Sequence, residues 1–133
     1  MAPAIFHPLL NKDVAEARGY QLDAVRAALG ASTLLVLPTG LGKTPVAWMV
    51  IAERMRCYQE ISNSEGNEPW ILVIAPTNPL VIQHRRDAEK WLNLDNEKII
   101  ALTGKITPEK RSKMYSGPSI IISTPQVIRN DVN

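Results

Sequence analysis

The chain is 133 residues long, 45% hydrophobic and 21% charged, with a formal net charge of +2. This length bounds it to one domain or a piece of one, and the apolar content excludes a disordered tail while leaving material for a core. A charge so close to balance does not by itself argue for nucleic acid. One cysteine, Cys57, excludes an internal disulfide and a thiolate-rich metal site, and it reads as a small apolar residue on a helix. No apolar run reaches the roughly 18 residues of a membrane span, and Met1 to Leu10 lacks the basic start and apolar stretch of a signal peptide. Composition thus sets the expectation of a soluble, cytoplasmic protein in a reducing cytosol.

In chain order, residues 1–19 form an N-terminal extension, followed by Leu22, Val25 and Leu29 on one face of a helix that ends at Gly30. Four short runs of Leu, Ile and Val then recur at Thr33–Leu37, Trp70–Ile74, Lys98–Leu102 and Ser119–Ser123. They show little alternation, the pattern of strands buried on both faces of a parallel sheet. Helical spacing follows the first run over Val46–Tyr58 and the second over Leu80, His84, Ala88 and Trp91. His84 fits a packed helix histidine on that apolar face. Gln59–Pro69 is polar and aperiodic, an exposed loop. Thr107-Pro108 and Thr124-Pro125 each place a hydroxyl at an N-cap and proline at the first helical position. Strand and helix alternate, so the fold class is α/β, a parallel sheet with flanking helices joined by right-handed crossovers.

Between the first strand and its helix lies Pro38-Thr39-Gly40-Leu41-Gly42-Lys43-Thr44. The general phosphate-loop pattern is Gly, four residues, then Gly-Lys-Ser/Thr. Gly42-Lys43-Thr44 is intact, whereas Leu37 stands where the first glycine would be. Gly40 and Gly42 can take backbone angles closed to other residues and turn successive N–H groups toward one anion. The helix N-terminus adds unsatisfied N–H groups and partial positive charge. Lys43 brings a full charge to the β- and γ-phosphates, and the Thr44 hydroxyl can ligate Mg²⁺. Pro45 is tolerated because its missing N–H lies in the first turn. The expected ligands are therefore ATP and Mg²⁺.

A phosphate loop does not separate a kinase from a motor, but the remaining segments carry a resemblance. The loop string is the motif I form of superfamily 2 helicases. Ala75-Pro76-Thr77-Asn78-Pro79-Leu80-Val81-Ile82-Gln83-His84 resembles their motif Ia, Ala101-Leu102-Thr103-Gly104 their motif Ib, and Ser123-Thr124-Pro125-Gln126-Val127-Ile128 their motif Ic. Arg18-Gly19-Tyr20-Gln21 is similar to the upstream element that reads adenine. Within the superfamily the chain is most similar to the helicase part of the Hef, FANCM and Mph1 group, from about His7 onward. One departure is Asn78, where motif Ia usually carries a basic residue.

The resemblance implies a RecA-like P-loop NTPase fold, with residues 20–133 as the N-terminal part of a first helicase domain. It implies that Gln21 reads the adenine edge, for which its amide offers both donor and acceptor; as a bare residue it could equally be an exposed position at a helix start. It further implies that Pro76, Thr77, Asn78, Thr103, Gly104, Thr124 and Gln126 hold the backbone of one DNA strand within branched or fork DNA. Thr77, Thr103 and Thr124 follow strand C-termini, where α/β sheets place ligands. Their other reading, turn and capping residues, is compatible, since both uses draw on a helix N-terminus. Arg85, Arg86, Lys90, Lys98, Lys105, Lys110, Arg111 and Lys113 make residues 84–113 mildly basic, the pattern of a solvated surface.

Hydrolysis in that superfamily needs an Asp-Glu-x-x box and a second RecA-like domain with an arginine finger, and neither is found up to Asn133. The expectations are a fragment of an ATP-dependent DNA helicase or translocase that is inactive alone, and a phosphate-loop strand lacking its neighbour. Two other readings stay open: a non-catalytic nucleotide- or nucleic-acid-binding module, and the P-loop motor of a restriction-type system.

Overall fold

The computed structural model describes residues 7–11, 19–36, 43–61, 71–115 and 120–132. In chain order the elements are α1 (Gly19–Gly30), α2 (Lys43–Ile61), β1 (Ile71–Ile74), α3 (Asn78–Trp91), β2 (Ile99–Leu102), α4 (Pro108–Met114), β3 (Ile120–Ser123) and α5 (Pro125–Asp131). A 3₁₀ turn at Asn96–Lys98 leads into β2. No helix among the described residues is long and apolar enough to cross a membrane.

The sheet is parallel, in the order β1-β3-β2. Its central strand carries Ile120, Ile121 and Ile122, all fully buried, because both faces of a central strand are covered. Ile120 and Ile122 join the larger core with Ile99, Ala101, Val81, Ala88 and Leu92, on the side where α3 packs against β2 and β3. Ile121 points the other way, into a smaller core with Leu102 and Val127, flanked by Met114 and Tyr115. The first crossover thus passes over one face by α3, and the return by α4 uses the opposite face. Right-handed connections that run in opposite directions along a sheet must do this.

Three of the four expected strands are present, at Ile71–Ile74, Ile99–Leu102 and Ile120–Ser123. The first is not. Residues 33–36 carry no strand, with Leu34 and Val36 88% and 78% exposed, and only Leu35 packs on the core. A strand exists through its ladder, and none of the described strands pairs with this segment. Instead the Thr33 hydroxyl donates toward Ala31 O at 2.7 Å and Ala27 O at 3.2 Å, closing the end of α1. The loop expected over Gln59–Pro69 also starts later, since α2 runs to Ile61; residues 62–70 lie outside the described set.

The N-terminal extension is tied into the core where it is described. Leu10 is buried and pairs with Leu92 in an isolated antiparallel bridge, with Asn11 N donating to Trp91 O and Asn93 N to Leu9 O, both at 2.8 Å. The Asn11 amide donates to Lys90 O at 2.7 Å and Leu92 O at 3.2 Å, capping carbonyls that the end of α3 leaves open. Leu9 N donates to His7 Nδ1 at 3.1 Å, so Nε2 carries the ring proton and donates to Glu53 Oε2 at 2.8 Å. Arg56 holds the other oxygen of Glu53. The Arg56 guanidinium foremost, with His7, brings the Glu53 carboxyl down to about 2 against the opposing effect of burial.

Candidate nucleic-acid groove and phosphate loop

Parallel strands put all their C-terminal ends on one edge, so the segments after β1, β2 and β3 converge there. Each then enters a helix with the same device. Thr77, Thr107 and Thr124 are N-caps in extended conformation, followed by proline within the first two helical positions. Their Oγ1 atoms accept from Leu80 N at 3.4 Å, Lys110 N at 3.4 Å and Val127 N at 3.5 Å. A capping hydroxyl that accepts still has its own proton to donate. The N–H groups of Asn78 and Gln126, in the first turns of α3 and α5, lack intrahelical partners by position. Capping and anion binding are therefore compatible at Thr77 and Thr124.

These loops enclose a groove of about 520 Å³ lined by Pro76, Thr77 and Asn78 from the first, Gly104 from the second, and Thr124 and Gln126 from the third. Every expected strand-binding residue except Thr103 is brought together here. Thr103 is buried, accepts from Ile106 N at 3.1 Å through its carbonyl, and lines a neighbouring cleft. Gly104 has no atom within 4 Å of where a Cβ would stand, so its missing side chain leaves this wall open.

Arg111, which in the sequence stands only within a basic run, also lines the groove. It is buried, donates from Nε and Nη2 to the two oxygens of Asp131 at 2.8 Å each, and from Nη1 to Ile106 O at 2.6 Å. Tyr115 donates its hydroxyl to Asp131 Oδ2 at 2.6 Å. The guanidinium holds the Asp131 carboxyl below its ordinary range, against burial. Burial first, and then the bond to Asp131, push the Tyr115 hydroxyl up to about 12. Twenty residues separate Arg111 from Asp131, and no local pattern signals such a pair.

At the phosphate loop, Pro38, Thr39, Gly40, Leu41 and Gly42 lie outside the described residues, as does the side chain of Lys43. Lys43 opens α2, Thr44 is half-buried in its first turn, and Pro45 follows, as expected for a proline whose N–H would have had no partner. The first turn of α2 carries no acidic residue, leaving the positive end of a long helix without a competing carboxylate. That fits a phosphate group with Mg²⁺ at the Thr44 hydroxyl. Gln21 is buried on α1, which packs against α2, and is not an exposed position at a helix start. Arg54 of α2 donates to Leu29 O at 2.7 Å, capping the C-terminal end of α1.

A parallel α/β sheet with a groove across its C-terminal edge, in a chain that carries a phosphate-loop string, defines a class of P-loop protein, and the comparisons with known proteins name the family. The chain belongs to the DEAD/DEAH box helicase family, whose profile matches residues 18–133. It is similar to the helicase domain of Pyrococcus furiosus Hef in its crystal structure, with a TM-score of 0.81 and 40% identity over 93% of this chain and 24% of that one. A Methanocaldococcus jannaschii protein whose name is that of an ATP-dependent RNA helicase is 46% identical over 96% of this chain and 15% of its own length. The Drosophila melanogaster DEAD-box ATP-dependent DNA helicase Fancm is 36% identical over 86% of this chain and 7% of its own. The chain thus spans less than a quarter of each of these relatives. The resemblance to the Hef and FANCM group and the RecA-like fold class both hold.

Proposed function

We propose that this chain is the ATP- and strand-gripping part of an ATP-dependent DNA helicase or translocase that acts on branched or fork DNA. The observation that carries this reading is the groove in which residues from three separate loops meet on one sheet edge. In it, the hydroxyls of Thr77 and Thr124 and the first-turn N–H groups of Asn78 and Gln126 donate to successive phosphate oxygens. Contacts of this kind position a strand without reading its sequence. Lys43 and Thr44 hold the β- and γ-phosphates of ATP and its Mg²⁺, and Gln21 contacts the adenine. Bound Mg²⁺ would supply charge neutralisation at the phosphates. In the whole protein a second RecA-like domain closes on the nucleotide, and hydrolysis and movement belong to that longer assembly. DNA rather than RNA follows the name of the Drosophila melanogaster relative, a DNA helicase, while the Methanocaldococcus jannaschii relative carries the name of an RNA helicase.

Two titrations test the reading. A labelled oligothymidylate should bind the chain, and Gln126→Glu, which sets a carboxylate in the groove, should weaken it at least about tenfold, the scale of one like-charge contact with a phosphate. Fluorescent ATP with Mg²⁺ should bind, and Lys43→Ala should abolish that binding. Unchanged affinity in either variant would overturn the corresponding half.

A further inference from the structure

The groove does not end at Asn78. A second cleft of about 560 Å³ shares that residue and opens between the outer row of α3 and the turn after β2. Pro79, Ile82, Gln83 and Arg86 recur at i, i+3, i+4 and i+7, so they stand in one row along the helix, and Lys105 lines the cleft from the turn after β2. The floor is apolar at Pro79 and Ile82, the latter 39% exposed. Arg86 and Lys105 are both exposed, and neither makes an ion pair or hydrogen bond among the described residues. Their neighbour Arg85, in contrast, is already paired with Glu89 at 3.3 Å. The main groove differs: its Arg111 is neutralised by Asp131. Among the described residues, free positive charge therefore lies in the second cleft and not in the first.

We propose that this cleft is a second backbone-phosphate site. It takes the next phosphates of the strand that lies in the first groove, with Arg86 and Lys105 as the two charge contacts and Ile82 under a sugar or base face. The inference rests on the reading of the first groove as a strand site, and the shared Asn78 makes the two continuous. Arg86 and Lys105 belong to none of the motifs on which the sequence resemblance was drawn. The division of labour is physical: the first groove orients phosphates by hydroxyl and N–H donors, and the second holds them by charge that no carboxylate neutralises.

The test is the salt dependence of oligothymidylate binding by the full 133-residue chain, followed by fluorescence anisotropy. Each single-strand phosphate contact contributes about 0.7 to the slope of log affinity against log salt. The double variant Arg86→Gln/Lys105→Gln should therefore lower the slope by about 1.4, and Arg86→Lys/Lys105→Arg should retain it. Both positions are exposed, so folding is not at stake. An unchanged slope in the glutamine variant, with binding still weakened by Gln126→Glu, would overturn this proposal and leave the first groove standing. If the wild-type chain fails to bind, or Gln126→Glu binds as well as wild type, the underlying reading falls and this one with it.

Discussion

Arg111 on α4 and Asp131 on α5 meet through two hydrogen bonds of 2.8 Å each, fixing the helix that follows β2 to the helix that follows β3. The third donor of Arg111, on Ile106 O, ties in the loop before α4 as well. The far wall of the groove is thus set by a bidentate pair, whose geometry is more restrictive than that of a lysine contact. Asp131→Asn keeps the shape and removes the charge, leaving a buried guanidinium with a weaker partner. It should lower the thermal midpoint of unfolding, read by circular dichroism; an unchanged midpoint would show that the pair does not hold α4 to α5.

Burial first, and then the same carboxylate, raise the Tyr115 hydroxyl. Its folded value of about 12 lies above the ordinary 10.0, so its protonated form is favoured by folding. That stability is fully present below pH 10 and is lost as pH rises through 12. Tyrosinate absorbance should show a tyrosine titrating near 12 in wild type, absent in Tyr115→Phe and shifted downward in Asp131→Asn.

Glu53 behaves in the opposite sense. Its folded value of about 2 lies below the ordinary 4.5, so folding favours the ionised form. The contribution is present above pH 4.5 and fades as pH falls toward 2. Urea denaturation between about pH 5 and 3 should show wild type losing more stability than Glu53→Gln, with the two curves converging at the acid end.

Burial along the sheet is uneven, and mutation costs should follow it. Ile121 of β3 is fully buried, whereas Leu72 of β1 is 37% exposed. Ile121→Ala should cost about 2–5 kcal/mol and Leu72→Ala clearly less, read from denaturation midpoints. Equal losses would mean that the β1 edge is covered in solution.

Asn11 tests the attachment of the N-terminal segment. Its amide bonds to Lys90 O and Leu92 O, and at about 1 kcal/mol for each net hydrogen bond, Asn11→Ala should cost roughly 1–2 kcal/mol. Amide exchange at the end of α3 should rise with it. No change in either would make the segment a passive contact.

Much of the architecture was legible in the residues. Uninterrupted Ile and Val runs mark strands covered on both faces, and Thr-Pro pairs mark helix starts, because both are consequences of local stereochemistry and burial. The Thr33–Leu37 run is also apolar, three leucines and a valine after Thr33, and yet residues 33–36 form no strand. A ladder needs a neighbour, and composition cannot supply one. Gln21 shows a similar gap: as a bare residue it reads equally as surface, and the fold buries it on α1.

The sequence by itself determined the phosphate-loop string, the capping threonines and the alternation of strand and helix, since each is written within a few consecutive residues. Only the tertiary structure decided that Thr77, Gly104, Thr124 and Gln126 share one groove. It also decided that Arg111 spends its charge on Asp131, and that Arg86 and Lys105 keep theirs. The reason is that parallel strands with helices between them bring distant loops to one edge, and which charges are neutralised there depends on neighbours far apart in the chain.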